Sequence, residues 1–431
     1  MPAQKQEVEA RKRTPSFICE IPLKVSPAHE RVLLARLEAA RQVYNACLGE
    51  AKRRVGLVRQ SKLYQHARRL PKDDPERARL FAKAREHCAF REYDLHRYAG
   101  ELRRSWIGGH LDSLTTQKIA SRAYQAANRL LLGQARRVRF KGRNQLDSIE
   151  GKNNASGLRW RGDRVEWSGL VLPGLLDPWD LVQNHGLASR VKYVRLVRRK
   201  CGEKGRFYAQ LICEGVPYRK ERHTRGEGVV GLDLGPSTVA VISEQQALLQ
   251  AFCPQVAPSA LTLRRLDRKL DRQRRANNPE NYDEQGRVKR GPKRWLVSHR
   301  QHHTQAHRRE YYRKLAATRK REHGTLVHQV LALGNVIALE KLSYKAWQKR
   351  YGKSTGLCAP GMFVARLCSL AESAGSRIVA ITPRRAKLSQ TCQCGAVAPK
   401  LLSQRWHHCS CGVSAQRDLY SAFLARFVSQ S

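Results

Sequence analysis

The chain has 431 residues, 41% of them hydrophobic, with 82 Lys+Arg against 36 Asp+Glu and a formal net charge of +46. That length and apolar content support two or three folded domains and exclude a disordered basic tail. The charge runs along the whole chain, so it is no localisation tag and calls for a polyanionic partner; nucleic acid fits, with binding steeply dependent on salt.

The leader, Met1 to Arg13, is polar and basic without an apolar core, so no secretory signal is read there. No lipidation motif or long apolar run accompanies the charge, which makes a membrane the weaker partner and leaves no transmembrane segment. Twelve cysteines without a signal are expected as reduced thiols in a cytoplasmic, nucleoid-associated protein, and eight scattered ones, Cys19, Cys47, Cys201 and Cys213 among them, as core residues.

Ser16 to Val25 reads as a strand. A helix follows from about Pro27, with Leu33, Leu37, Ala40, Tyr44, Cys47 and Ala51 at alternating four- and three-residue steps and basic residues such as Arg36, Arg41, Lys52 and Arg53 on other faces. A polar, Pro-punctuated region at 70–75 separates it from further helix over 76–102, and 114–132 carries Ile119, Ala123, Ala127, Leu130 and Leu131 on one side. From Arg137 strands and turns take over. Trp160 and Trp167 lie on the arms of a hairpin turning at Gly162-Asp163, and 191–198 pairs with 206–213. Short strands with turn signals suggest a small barrel, either touching nucleic acid through its Arg, Trp and Tyr or serving as an ordinary solvated sheet.

A charged linker over 218–228 precedes a second region. Strands are expected at 229–235, 239–243 and 247–252, then a basic helix over 261–275 with Leu263, Leu266 and Leu270 inward and Arg264, Arg265, Arg268, Lys269 and Arg272 outward. A polar insert (277–292) leads to a second basic helix containing Trp295, Arg300, Arg308, Arg309, Tyr311 and Arg313. His302, His303 and His307 share helical spacing on it; phosphate contact explains them more simply than a metal. Strands at 335–340 and 377–382 follow, and a last helix over 415–428 offers Leu419, Ala422, Phe423 and Phe427 to a core.

Two sets of residues carry chemistry. Cys392-Gln-Cys394-Gly395 and Cys409-Ser-Cys411-Gly412 have the form of two knuckles whose thiolates hold a tetrahedral Zn²⁺, glycine letting the backbone turn beneath the sulfurs. His407 or His408 could replace one sulfur, and buried, inert thiols in a hairpin are the alternative. Asp233, Glu340 and Asp418 each lie in or beside an apolar element, where a carboxylate persists when something positive neutralises it. Singly each reads as a strand-end or helix-cap charge. Together they could hold two Mg²⁺ (or Mn²⁺) ions that activate water against a phosphodiester.

In order, Gly231-Leu-Asp233-Leu-Gly235, Ile337-Ala-Leu-Glu340-Lys-Leu342, Ser389-Gln-Thr-Cys392, Cys411-Gly412 and Arg417-Asp418 resemble the split RuvC motifs of the TnpB (OrfB) family, which is encoded by insertion sequences and related to compact type V CRISPR effectors. Arg41-Gln-Val-Tyr44-Asn45-Ala-Cys-Leu48 is similar to the family's N-terminal helix signature. The resemblance covers nearly the whole chain. Two departures are the Cys-x-Cys spacing of the knuckles and Lys341, where the family often has an acidic or amide residue.

The resemblance implies an α+β multidomain fold: a wedge-type β-barrel (1–26 and 136–220) interrupted by a helical recognition module (27–135), then an RNase H-like RuvC domain (226–387 and 413–431) carrying a zinc ribbon (388–412). It assigns Asp233, Glu340 and Asp418 as the metal-binding catalytic triad and Cys392, Cys394, Cys409 and Cys411 as the zinc ligands. It implies an RNA-guided DNA endonuclease, a monomer with one noncoding guide RNA, cutting double-stranded target DNA beside a short flanking motif. The basic helices at 27–56, 114–132 and 261–320 suit the channel for the heteroduplex. A compact type V CRISPR effector, a guided binder that represses without cutting, and a transposase that joins strands are the competing functions.

Overall fold

The computed structural model describes residues 14–401 and 403–428; the basic leader, Met1 to Arg13, lies outside them. The chain is a mixed α+β multidomain protein of two compact units, one holding 14–200 and 204–218, the other 201–203 and 219–428. No helix among the described residues is long and apolar enough to cross a membrane.

In the first unit β1 (Ser16–Pro22) leads into α1 (Pro27–Gln60), whose start is set by the Ser26 side chain accepting from the His29 N–H and by Pro27 in the first turn. The six residues expected on its apolar face are all buried. Arg36, expected on another face, is buried too: its guanidinium lies over the Trp167 ring and donates to the Trp167 and Ser168 carbonyls. Arg41 and Asn45 of the motif on α1 clasp the Lys141 backbone, both donating to its carbonyl while Asn45 accepts from its N–H. The motif thus fixes where the chain leaves the helices.

After α2 (Lys62–Arg69), the helix expected over 76–102 is two, α3 (Pro75–His87) and α4 (Glu92–Arg103). The chain breaks at Ala89, whose φ is 50°, because the turn drives Phe90 fully into the core. Next comes α5 (Ser113–Leu131), capped by Asp112. Then follow β2 (Ser148–Glu150), β3 (Arg159–Arg161), β4 (Arg164–Trp167), β5 (Leu170–Pro173), α6 (Leu181–Ala188), β6 (Val191–Cys201) and β7 (Lys204–Glu214). The strands expected to form one barrel lie in two sheets, ordered β1-β7-β6-β2 and β3-β4-β5, tied by a bridge between Leu23 and Gly174.

The second unit is built on β8 (Val229–Leu234), β9 (Thr238–Ile242), β10 (Ala247–Ala251), β11 (Val336–Glu340) and β12 (Arg377–Ile381), in spatial order β10-β9-β8-β11-β12. The first three strands are antiparallel neighbours; β11 runs parallel to both β8 and β12. Between β10 and β11 lie α7 (Ala260–Ala276) and α8 (His299–Leu333), and Trp295 precedes α8, stacked under the Arg274 guanidinium at 3.9 Å. Three helices missed in the sequence, α9 (Tyr344–Arg350), α10 (Gly352–Cys358) and α11 (Pro360–Ser373), join β11 to β12. After α12 (Pro383–Ala386) the first cysteine pair precedes β13 (Trp406–His408), the second lies in the turn between β13 and β14 (Ser414–Gln416), and α13 (Arg417–Val428) ends the described chain.

Period-two alternation decides what each sheet face carries. Val230, Leu232 and Leu234 of β8, with Ile337 and Leu339 of β11, pack with Val327 and Val330 of α8 and Phe363 and Leu367 of α11. The alternate residues, Gly231 and Ala338, meet α13, and Asp233 and Glu340 continue those two rows. α13 can lie this close only because position 231 has no side chain: a Cβ there would stand 1.8 Å from the Ala422 carbonyl oxygen. Gly231→Ala should therefore cost about 3 kcal/mol or more, seen as a lower denaturation midpoint; an unchanged midpoint would refute that packing. Phe427, expected in the core, is half exposed; Tyr420, Ser421, Ala422, Leu424 and Ala425 are the buried residues of α13.

Candidate functional site

Leu232 and Leu339 are register partners on parallel neighbours, so the next residue in β11, Glu340, comes beside Asp233 at the carboxyl ends of β8 and β11. Asp418 enters from the first turn of α13, the helix that covers this face. The structure thus brings all three predicted carboxylates to one cleft of about 560 Å³. Trp347 and Tyr351 of α9–α10, and Lys400, Arg405 and Arg417 from the ribbon region, line the same cleft. Apart from Arg417, these were not singled out in the sequence. The aromatic and basic run from Tyr344 to Tyr351 was the signal available.

The electrostatics are those of an under-neutralised acidic centre. Among the described residues neither the Asp233 nor the Glu340 carboxylate has a hydrogen bond or ion pair to protein. Asp418 is held by Arg417 at 3.4 Å and faces Arg405 at 3.7 Å. Burial, and then the charges of Asp418 and Glu340, push the Asp233 carboxyl up to about 7 against the pull of Arg417. Burial alone raises Glu340. Carboxylates that repel one another, two of them without a protein partner, are a donor set for hard divalent cations, so the residues present fit Mg²⁺ or Mn²⁺. The three are spread around the cleft: no three-carboxylate set among the described residues gathers its oxygens within 4.8 Å of one another.

In the metal-free protein the raised Asp233 pKa has a definite sign. Between its ordinary value of 3.8 and about 7 the unfolded chain has lost this proton while the folded chain keeps it. The group's contribution therefore falls as pH rises through that window, and above it the folded charge costs its full amount. Asp233→Asn should raise the metal-free melting temperature by a few degrees at pH 8 and leave it unchanged below pH 4 (~2 kcal/mol at most, given screening in an open cleft). Mg²⁺ should stabilise the wild type but not the variant; a variant less stable than wild type at pH 8 without metal would contradict this.

The four cysteines of the two pairs form one cluster, their sulfurs within 4.8 Å of one another, and no other such group of three or more metal-ligating side chains occurs among the described residues. Cys392–Cys411 and Cys394–Cys409 are 3.5 and 3.6 Å apart. A tetrahedral Zn²⁺ with ligand bonds of about 2.3 Å needs sulfurs about 3.8 Å apart, so the cluster fits zinc despite the short spacing. The knuckles are built alike: Gly395 and Gly412 have φ of 88° and 91°, and each donates its N–H to the carbonyl of the cysteine three residues before. Burial opposes the Cys392 thiolate, but donors led by the Tyr420 hydroxyl hold the thiol down at about 5.

Neither histidine is in the clustered ligand set, although His407 is among the hydrogen-bonding groups that lower the Cys392 thiol. His407 stacks on Tyr420 with centroids 4.5 Å apart and accepts from Lys400, and His408 pairs with Ser414. Among the described residues the histidines of α8 gather no metal set either, although the His303 and His307 rings meet at a tilt with centroids 4.5 Å apart.

No curated protein matches the chain. Two solved structures align over 96% of this chain and 99% of theirs: a cryo-EM structure of a Cas12f1–sgRNA–target DNA complex (12% identity, TM-score 0.43) and one of a CRISPR-Cas12f ternary complex (10% identity, TM-score 0.29). Residues 361–424, which span α11 through most of α13 with all four cysteines and Asp418, match the Cas12f1-like TNB domain family. Over that stretch the chain is similar to the Cas12f1-like TNB domain.

Proposed function

We propose that the chain is an RNA-guided, Mg²⁺-dependent DNA endonuclease of TnpB type, associated with an insertion sequence. The observation that carries this reading is the convergence of Asp233, Glu340 and Asp418 on one cleft walled by basic and aromatic side chains. Asp233, Glu340 and Asp418 would hold two divalent ions. Bound there, the ions supply activation of water for in-line attack and neutralisation of charge at the departing 3′ oxygen. The chain's own part is to hold the three carboxylates on rigid elements, to bind the strand through Arg405, and to offer Trp347 and Tyr351 as stacking surfaces for bases.

The sheet order and the helix on its acidic face support an RNase H-like RuvC domain over 226–387 and 413–431, with the four-cysteine clip as a zinc ribbon over 388–412. The wedge and recognition assignments at 1–26, 136–220 and 27–135 stay part of the same proposal. The basic face of α7, where Arg264, Arg265, Arg268, Lys269 and Arg272 are exposed and no residue is fully buried, suits the backbone of a guide–target duplex.

The Cas12f1-like match favours one second reading, a compact type V CRISPR effector with the same chemistry. Sequencing the RNA that copurifies with protein expressed from its native locus separates the two. One structured RNA from the gene's own 3′ border, ending in variable sequence, supports the TnpB reading; repeat-derived RNA supports the effector. Random cellular RNA would defeat the guided function.

A further inference from the structure

The zinc-type clip touches the acidic cleft through one chain of side chains. Lys400 lines the cleft with Asp233, Glu340 and Asp418. Its ammonium donates to the Ser389 carbonyl at 3.1 Å and to His407 Nδ1 at 2.5 Å. The His407 ring is buried and lies flat on Tyr420, 19° from parallel. The Tyr420 hydroxyl accepts from the Gln393 N–H at 2.9 Å and meets Cys392 Sγ at 3.4 Å. Lys400 has no carboxylate partner among the described residues, in a cleft that holds three.

With the Ser389 carbonyl and His407 Nδ1 engaged, the ammonium has one donor left for a third partner. In a cleft built for a phosphodiester that partner is a phosphate oxygen, and a fixed cation beside it is worth most when negative charge grows on the phosphate in the transition state.

Resting on the nuclease reading, we propose that Lys400 binds a phosphate of the DNA strand in the cleft, and that His407 is its positioning residue. The ribbon would then do more than fold the chain: through Tyr420 and His407 it sets the place of a charge at the reaction centre. Arg417 serves the same loop differently, donating to the Leu401 and Gln404 carbonyls, so its guanidinium is committed to structure and to Asp418.

Two readouts test this on the full chain with its copurified RNA. In Ca²⁺, acetic anhydride labelling of Lys400, followed by peptide mass spectrometry, should fall severalfold when target DNA is added; equal labelling with and without DNA would overturn the proposal whether or not the protein cuts. In Mg²⁺, Lys400→Ala should lower kcat about a hundredfold with KM and zinc content unchanged, and Lys400→Arg should recover most of it. His407→Phe keeps the stack on Tyr420 but removes the acceptor, and should lower kcat about tenfold with zinc retained. Because His407 acts through Lys400, the double variant should be no worse than Lys400→Ala alone. Wild-type kcat in Lys400→Ala, or additive losses in the double variant, would overturn the proposal. Loss of cutting in the wild type with Lys400 still protected by DNA would instead refute the nuclease reading and leave the phosphate contact standing.

Discussion

Asp233→Asn is expected to reduce guided DNA cleavage by about a thousandfold or more while the protein keeps its full complement of RNA. The substitution preserves shape and removes one charge at the carboxyl end of β8, where Asp233 stands beside Glu340 and under α13. Two features make the outcome interpretable. Asp233 has no hydrogen-bond partner among the described residues, so the amide orphans no protein donor. In the metal-free fold its charge is a cost, since burial and two like charges raise its pKa to about 7, so loss of activity cannot be put down to unfolding. Glu340→Gln and Asp418→Asn should fall to similar levels, and pairs should be no worse than the worst single, because the three would act as one ion-holding unit. Plasmid cleavage and the RNA extracted from each variant are the measurements. A variant that cuts at the wild-type rate would remove that residue from the site; loss of RNA along with cutting would point to a folding defect.

Loss of the four-cysteine clip is the second large effect. Purified protein should carry one zinc per chain, and Cys392→Ser should release it and lower cleavage at least about tenfold while leaving the RNA in place. The reason lies in what hangs from the clip. The Arg417 N–H donates to the Arg405 carbonyl, and α13 begins directly after β14, so Asp418 inherits its position from the ribbon. Tyr420, buried beneath Cys392, ties the next turn of the same helix to the first knuckle. Without metal the four sulfurs, two of them on exposed cysteines, lose what holds them together, and limited proteolysis should cut between 389 and 416. Protein from zinc-replete cells that contains no zinc, yet cuts normally, would make the cluster an ordinary thiol hairpin.

Much of the second unit was legible in the sequence because its strands are short apolar runs and charge within such a run is costly. Asp233 and Glu340 stood out for that reason, in a chain with few acidic residues. The cysteine pairs stood out by repetition. What stayed hidden depends on contacts distant in sequence. The residues from 344 to 373 show no long apolar stripe, since α9 and α10 are seven residues each and the chain turns at Tyr351 and Ala359. The break at Ala89 is decided by where Phe90 packs, and Arg36 turns inward because the Trp167 ring and two carbonyls receive it. Lys400 and Arg405, set in a polar loop, look like any of the other basic residues until the fold brings that loop to the carboxylates. Periodicity also misjudged α13, where Phe427 has the spacing of a core residue and lies half exposed at the end of the described chain.

The most direct test of the central claim is cleavage of a plasmid by the purified protein–RNA complex, with a target complementary to the RNA's variable end placed beside a randomised flank. The account predicts breaks in the matched plasmid only, dependent on Mg²⁺ or Mn²⁺, abolished by EDTA, and confined to a subset of flanking sequences. Cutting that ignores the match, joined strands in place of breaks, or an intact matched plasmid in Mg²⁺ would contradict it.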